Sequence, residues 1–231
     1  LTSFAVFTAQ QATGATAFAY FGPQYFKLLV GDGSKDLLLT AIFGAVKVAA
    51  CGVFVLFLSD RFGRRKVLIA GAACMASCQI TCAAVVAHHP APESGHPGVT
   101  SSGIATVALI YLFVIAYNLS WGPLPWPYVS EIFPTRIREP GIAIGVGSQW
   151  LFNFVFSIST PYMITNMGWG TFLLWGLFDA VIAVGTFFFL RETQGLSLED
   201  IAHHNFGDAR YSKIDPNHES VDPTESTTAN N

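Results

Sequence analysis

Six hydrophobic runs, each long enough to cross a bilayer, constrain this chain more than any other feature of its sequence. To within a few residues they cover 2–30, 37–59, 67–87, 104–128, 141–163 and 169–190. A hydrocarbon core is about 30 Å thick and needs about 20 apolar residues of helix to cross it. Backbone N–H and C=O groups find no water there, so each crossing segment must satisfy them internally, as a helix. The expected fold class is therefore all-α and integral to the membrane, a six-transmembrane-helix bundle over residues 1–190. Composition supports this reading, with 52% of residues hydrophobic and only 12% charged. Soluble proteins carry about 25% charged residues, so a soluble enzyme or a secreted disulfide scaffold is excluded. A net charge of −3 gives no surface for nucleic acid.

Basic residues orient the bundle. Arg61, Arg64, Arg65, Lys66, Arg136, Arg138 and Arg191 fall in the turns after the second and fourth runs and at the exit of the sixth. Lys27 and Lys35 alone fall on the opposite side. Lysine and arginine are retained on the cytoplasmic face, so those turns and both chain ends are expected there. Residues 191–231 read as a cytoplasmic tail. After about 207 it is rich in Asp, Ser, Thr, Asn and Pro, a composition expected to be disordered.

Polar side chains inside membrane helices are costly and need a reason. The first run carries Gln10, Gln11, Thr13, Thr16 and Tyr20, with Gly14 among them. The fourth contains Trp121-Gly122-Pro123-Leu124-Pro125-Trp126-Pro127, which cannot continue a regular helix because proline removes backbone donors. Broken helices at membrane depth line cavities or are buried in protein. The fifth adds Gln149, Trp150 and Asn153, with Gln149 and Asn153 one turn apart on one face. Amides supply both donors and acceptors, and indoles supply a flat apolar surface with one N–H. Together these groups suit a small polyhydroxylated solute. Interhelical hydrogen bonding explains any one of them alone but not the set.

Two ionisable residues lie deep, Lys47 in the second run and Asp179 in the sixth. Lys47 reads as a counter-ion for an acidic substrate or as a structural partner of a helix-end carbonyl. Asp179 reads as an aid to proton coupling or as an interhelical hydrogen-bond partner. Cys74, Cys78 and Cys82 share one helix face without the further ligands a metal needs, so they read as small packing residues and no metal is expected.

Four motifs stand in order: Gln10-Gln11-Ala12-Thr13-Gly14; Asp60-Arg61-Phe62-Gly63-Arg64-Arg65; Pro125-Trp126-Pro127-Tyr128-Val129-Ser130-Glu131-Ile132-Phe133-Pro134; and Glu192-Thr193-Gln194-Gly195-Leu196-Ser197-Leu198-Glu199-Asp200-Ile201. Over about residues 1–206 the chain resembles the C-terminal half of a major facilitator superfamily sugar porter, nearest in character to fungal hexose and quinate permeases. The resemblance implies a twelve-helix carrier of which these are the seventh to twelfth helices, with an N-terminal six-helix half as partner. It implies no enzymatic chemistry and no cofactor, with transport of a sugar, polyol or cyclitol acid by alternating access. The implied substrate residues are Gln10, Gln11, Thr16, Trp126, Gln149, Trp150 and Asn153. Thr16 stands where the family usually has Asn, and Val48 where it has another Asn, which alters the expected hydroxyl pattern. The implied cytoplasmic gate comprises Asp60, Arg61, Arg64, Arg65, Glu131, Arg136 and Arg138. A transporter-like nutrient sensor and a truncated, non-functional fragment are the alternative readings. The membrane is expected to be the plasma membrane, with a proton as a further candidate partner.

Overall fold

A computed structural model describes residues 2–30, 34–58, 61–88, 101–190 and 192–193. Asp60, Arg191 and the tail after Thr193 lie outside the described residues. The elements are α1 (Thr2–Ala12), α2 (Ala15–Val30), α3 (Ser34–Val53) continued by a π turn (Phe54–Leu58), α4 (Arg64–His88), α5 (Ser101–Asn118), α6 (Pro125–Glu131), α7 (Thr135–Met167) and α8 (Gly170–Phe189). No strand occurs among the described residues. Among the described residues four helices are long and apolar enough to cross a membrane: Leu38–Phe57, Arg64–His88, Thr135–Met167 and Gly170–Phe189.

The first and fourth runs are each divided. The apolar run over 2–30 predicts a single segment. In the structure it breaks at Thr13 and Gly14, and Gly14 adopts φ +78°. That conformation suits glycine, and a second reason is steric. A Cβ built at Gly14 would stand 2.8 Å from Cδ2 of Trp175 on α8. In the fourth run, α5 ends at Asn118 and α6 begins at Pro125. Helical carbonyls accept from the N–H four residues on, so Pro123, Pro125 and Pro127 leave the carbonyls of Leu119, Trp121 and Pro123 without their helical donors. Pro125 is the first residue of α6, a position where the fixed φ of proline suits the helix.

α7 extends beyond the expected 141–163 at both ends and carries Pro140 and Pro161 within it. It ends at Gly168, with φ +50°, whose N–H donates to the Ile164 carbonyl at 3.1 Å.

The main core lies around α4, which packs chiefly on α5 and α8. Leu68, Ala72, Met75, Cys78 and Cys82 of α4 meet Ile110 and Phe113 of α5 and Phe172 of α8. Trp121, in the break after α5, is buried here, and its indole N–H donates to the Leu68 carbonyl at 2.9 Å. A second cluster joins Val6 and Phe7 of α1 to Tyr128, Val129 and Ile132 around α6. α1 also packs along α7, where Gly145 leaves room for Ser3 and Phe7. Small residues at such contacts let helix backbones approach in an apolar solvent.

Gly14 and Gly168 share a positive φ but differ in surroundings, since nothing lies within 4 Å of a Cβ at Gly168. Gly14→Ala should therefore destabilise the protein by about 1–3 kcal/mol more than Gly168→Ala, the usual range for overpacking. Thermal unfolding of both variants in detergent micelles checks this. Equal losses would remove Trp175 as the cause.

Candidate substrate site

The two broken runs meet through one side chain. Gln10, on the last turn of α1, is 3% exposed. Its Nε2 donates to the Trp121 carbonyl at 2.8 Å and to the Gly122 carbonyl at 3.0 Å. The Trp121 carbonyl is one that Pro125 deprives of its helical donor. Both amide N–H groups of Gln10 are thus engaged by backbone, while its Oε1 accepts from Gln149 Nε2 of α7 at 3.2 Å.

Gln11 is placed differently. Its Oε1 accepts from Thr16 Oγ1 at 2.5 Å, across the break into α2, and from Asn153 Nδ2 of α7 at 3.5 Å. Its Nε2 has no hydrogen bond among the described residues and remains a donor for a ligand. Gln149 and Asn153 are half-buried on the same face of α7. Trp126 on α6 packs edge-on against Phe7 at 5.0 Å between centroids and is 45% exposed. Trp150, beside Gln149, is 65% exposed. The structure thus joins Gln10 to Gln149 and, separately, Gln11 to Thr16 and Asn153, two hydrogen-bonded sets that both tie α1 to α7. Trp126 on α6 and Trp150 on α7 are both exposed.

Lys47 is half-buried on α3, which packs on α2 and α5, and its ammonium lies 5.9 Å from the Phe43 ring centroid. Asp179 is fully buried and accepts from Gln79 Nε2 of α4 at 3.3 Å. Gln79 also donates to the Thr13 carbonyl at 3.0 Å. Gln79 carries the same signal as Gln10, an amide inside an apolar run, yet the sequence reading did not include it.

A charged cluster forms where α4 begins and α6 ends. Arg64 Nη2 pairs with Glu131 Oε1 at 3.1 Å, both side chains being largely buried. Thr193 Oγ1 donates to Glu131 Oε2 at 2.9 Å. Glu192 accepts from the Arg65 backbone N–H, with its Oε2 at 3.3 Å, and so caps the start of α4, where a carboxylate is favoured by the helix dipole. The Arg65 guanidinium lies 5.1 Å from the Phe187 ring centroid and donates to the Phe187 carbonyl. Arg61 and Arg136 are exposed, and Arg138 is half-buried. Glu192 and Thr193 belong to this cluster, although sequence reasoning assigned them only to a motif.

Residues 1–204 match the protein family described as Sugar (and other) transporter. The chain is 36% identical over 199 residues to a quinate permease of Emericella nidulans, covering 85% of this chain and 37% of that protein. It is 33% identical over 197 residues to a probable quinate permease of Aspergillus clavatus, covering 85% and 36% respectively. Among solved structures it is similar to the major facilitator superfamily proton:xylose symporter XylE bound to 6-bromo-6-deoxy-D-glucose. That similarity has a TM-score of 0.73 at 28% identity and covers 86% of this chain and 41% of the other. The inward-open xylose transporter XylE from E. coli gives a TM-score of 0.69 at 26% identity, covering 86% and 40%. The chain therefore spans well under half the length of these relatives.

Gln10→Met should leave the Trp121 carbonyl buried without a donor and cost about 1–3 kcal/mol of stability. Gln149→Met frees only one acceptor lone pair on Gln10 and should cost clearly less. Thermal unfolding in micelles compares the two, and a smaller loss for Gln10→Met would contradict the hydrogen-bond assignment.

Proposed function

Because the chain belongs to the Sugar (and other) transporter family, we propose that it forms the C-terminal half of a twelve-helix carrier for a sugar or sugar-like cyclitol acid. The observation that carries this reading is the meeting of Gln10 and Gln11 of α1 with Gln149 and Asn153 of α7, with exposed indoles at Trp126 of α6 and Trp150 of α7. Such a face offers a polyhydroxylated ring directional hydrogen bonds and apolar stacking together. The quinate permeases among the similar proteins support a cyclitol acid, and the sugar-bound XylE supports a pyranose-like ring.

In this reading the first and fourth runs each cross the membrane as two helix pieces, giving six crossings. Substrate binds between this face and an opposing six-helix half near the bilayer midplane, and transport proceeds by rocking of the halves. Gln11 donates to substrate through Nε2, Gln149 and Asn153 contact ring hydroxyls, and Gln10 shapes the site from behind. The Arg64–Glu131–Thr193 cluster lies on the cytoplasmic side. It stabilises the state closed on that side, because its hydrogen bonds require α4, α6 and the segment after α8 to meet. The C-terminus is cytoplasmic in a plasma-membrane protein.

Proteoliposome uptake of radiolabelled quinate and xylose tests the reading. The 231-residue chain alone should give no saturable flux, and addition of the six-helix counterpart should restore it. In the restored carrier, Gln11→Ala should raise the half-saturation concentration roughly 5- to 150-fold, the equivalent of about 1–3 kcal/mol. Saturable, competable flux from the chain alone would contradict the half-carrier reading. An unchanged half-saturation in Gln11→Ala would contradict the site.

A further inference from the structure

α8 applies two residues, one helical turn apart, to the break between α1 and α2. Trp175 occupies the space that a side chain at Gly14 would need. Asp179, four residues on, holds the Gln79 amide, whose nitrogen also donates to the Thr13 carbonyl. Both N–H groups of Gln79 are thereby directed, one to the break and one to α8. A buried acid in a membrane helix requires a specific role. Asp179 forms no ion pair among the described residues, and its Oδ1 has no donor there.

We infer that Asp179 and Gln79 form a positioning pair that fixes the angle of the break in the first run, and so the placement of the substrate amides. This rests on the substrate-site reading above. A glycine at φ +78° is permissive, so α1 can swing relative to α2 unless the adjoining carbonyl is held. α1 carries Gln10 and Gln11, and α2 carries Thr16. The Thr16–Gln11 hydrogen bond spans the break, and Thr13 Oγ1 donates to the Gln10 carbonyl at 2.8 Å. A change of angle at Thr13 and Gly14 therefore displaces Gln11 from both Thr16 and Asn153. The pair needs an acceptor oxygen at position 179 and not a charge, so asparagine can replace the acid and leucine cannot.

The test has two readouts. Spin labels at Phe4 and Tyr20, both exposed and on either side of the break, report its angle in the purified chain, with native cysteines replaced by alanine. A narrow distance distribution is expected for the parent and for Asp179→Asn, with broadening or displacement in Asp179→Leu and Gln79→Leu. In the complete carrier the two leucine variants should raise the half-saturation for quinate or xylose about tenfold, the loss expected for one misplaced hydrogen bond, while Asp179→Asn stays within about twofold. Unaltered distances in both leucine variants would overturn the inference, whatever happens to transport. Loss of transport in Asp179→Asn with normal distances would also overturn it, because the acid itself would then be required. Absence of saturable uptake in the unsubstituted carrier would instead overturn the transport reading, and the distances would still judge the pair.

Discussion

Two buried amides that donate to broken-helix carbonyls are the interaction on which the rest of this structure depends. In the apolar interior a carbonyl without a donor costs more than the same group in water. Gln10 supplies the donor at the proline-rich break after α5, and Gln79 supplies it at the Gly14 break between α1 and α2. Without them, helices interrupted at these points would leave backbone groups unsatisfied at membrane depth. The breaks in turn expose what continuous helices would hide. Trp126 follows the turn after Asn118 and presents an open indole, and Gln11 keeps a free donor beside α7.

The helices fall into two roles. α4, α5 and α8 enclose the larger core, with Trp121 anchored to Leu68. α1, α6 and α7 share the smaller cluster and carry the amide and indole face. α4 links the two ends of the bundle, with Arg64 in the charged cluster and Gln79 at the break. At 1.5 Å per residue these positions are about 22 Å apart along one rigid element. α4 thus contacts both the charged cluster and the break that precedes α2.

Much of this was legible in the sequence, for definite reasons. Membrane helices are visible because the solvent demands about 20 apolar residues, and the break at Pro123, Pro125 and Pro127 is visible because proline has no N–H. Gln149 and Asn153 fall on one face by helical spacing alone, and both hydrogen bond towards α1. The break in the first run was not legible. Gly14 is one glycine in an apolar stretch, and the Trp175 ring that fills the space beside it lies far away in the chain. The same holds for the division between Gln10 and Gln11. They are adjacent and identical in the sequence, yet one serves backbone carbonyls and the other keeps a donor available. Gln79 and Glu192 were missed because their partners, Asp179 and the start of α4, become neighbours only on folding.

The central claim is that the face bearing Trp126 and Trp150 receives the substrate. Tryptophan emission of the complete carrier, titrated with quinate and with xylose, tests it directly. The account predicts a saturable change with at least one of these ligands, reduced in Trp126→Phe and in Trp150→Phe and absent when both are replaced. The buried indoles of Trp121 and Trp175 should then report nothing. A saturable change that persists undiminished in the double variant would place the substrate elsewhere and contradict the account.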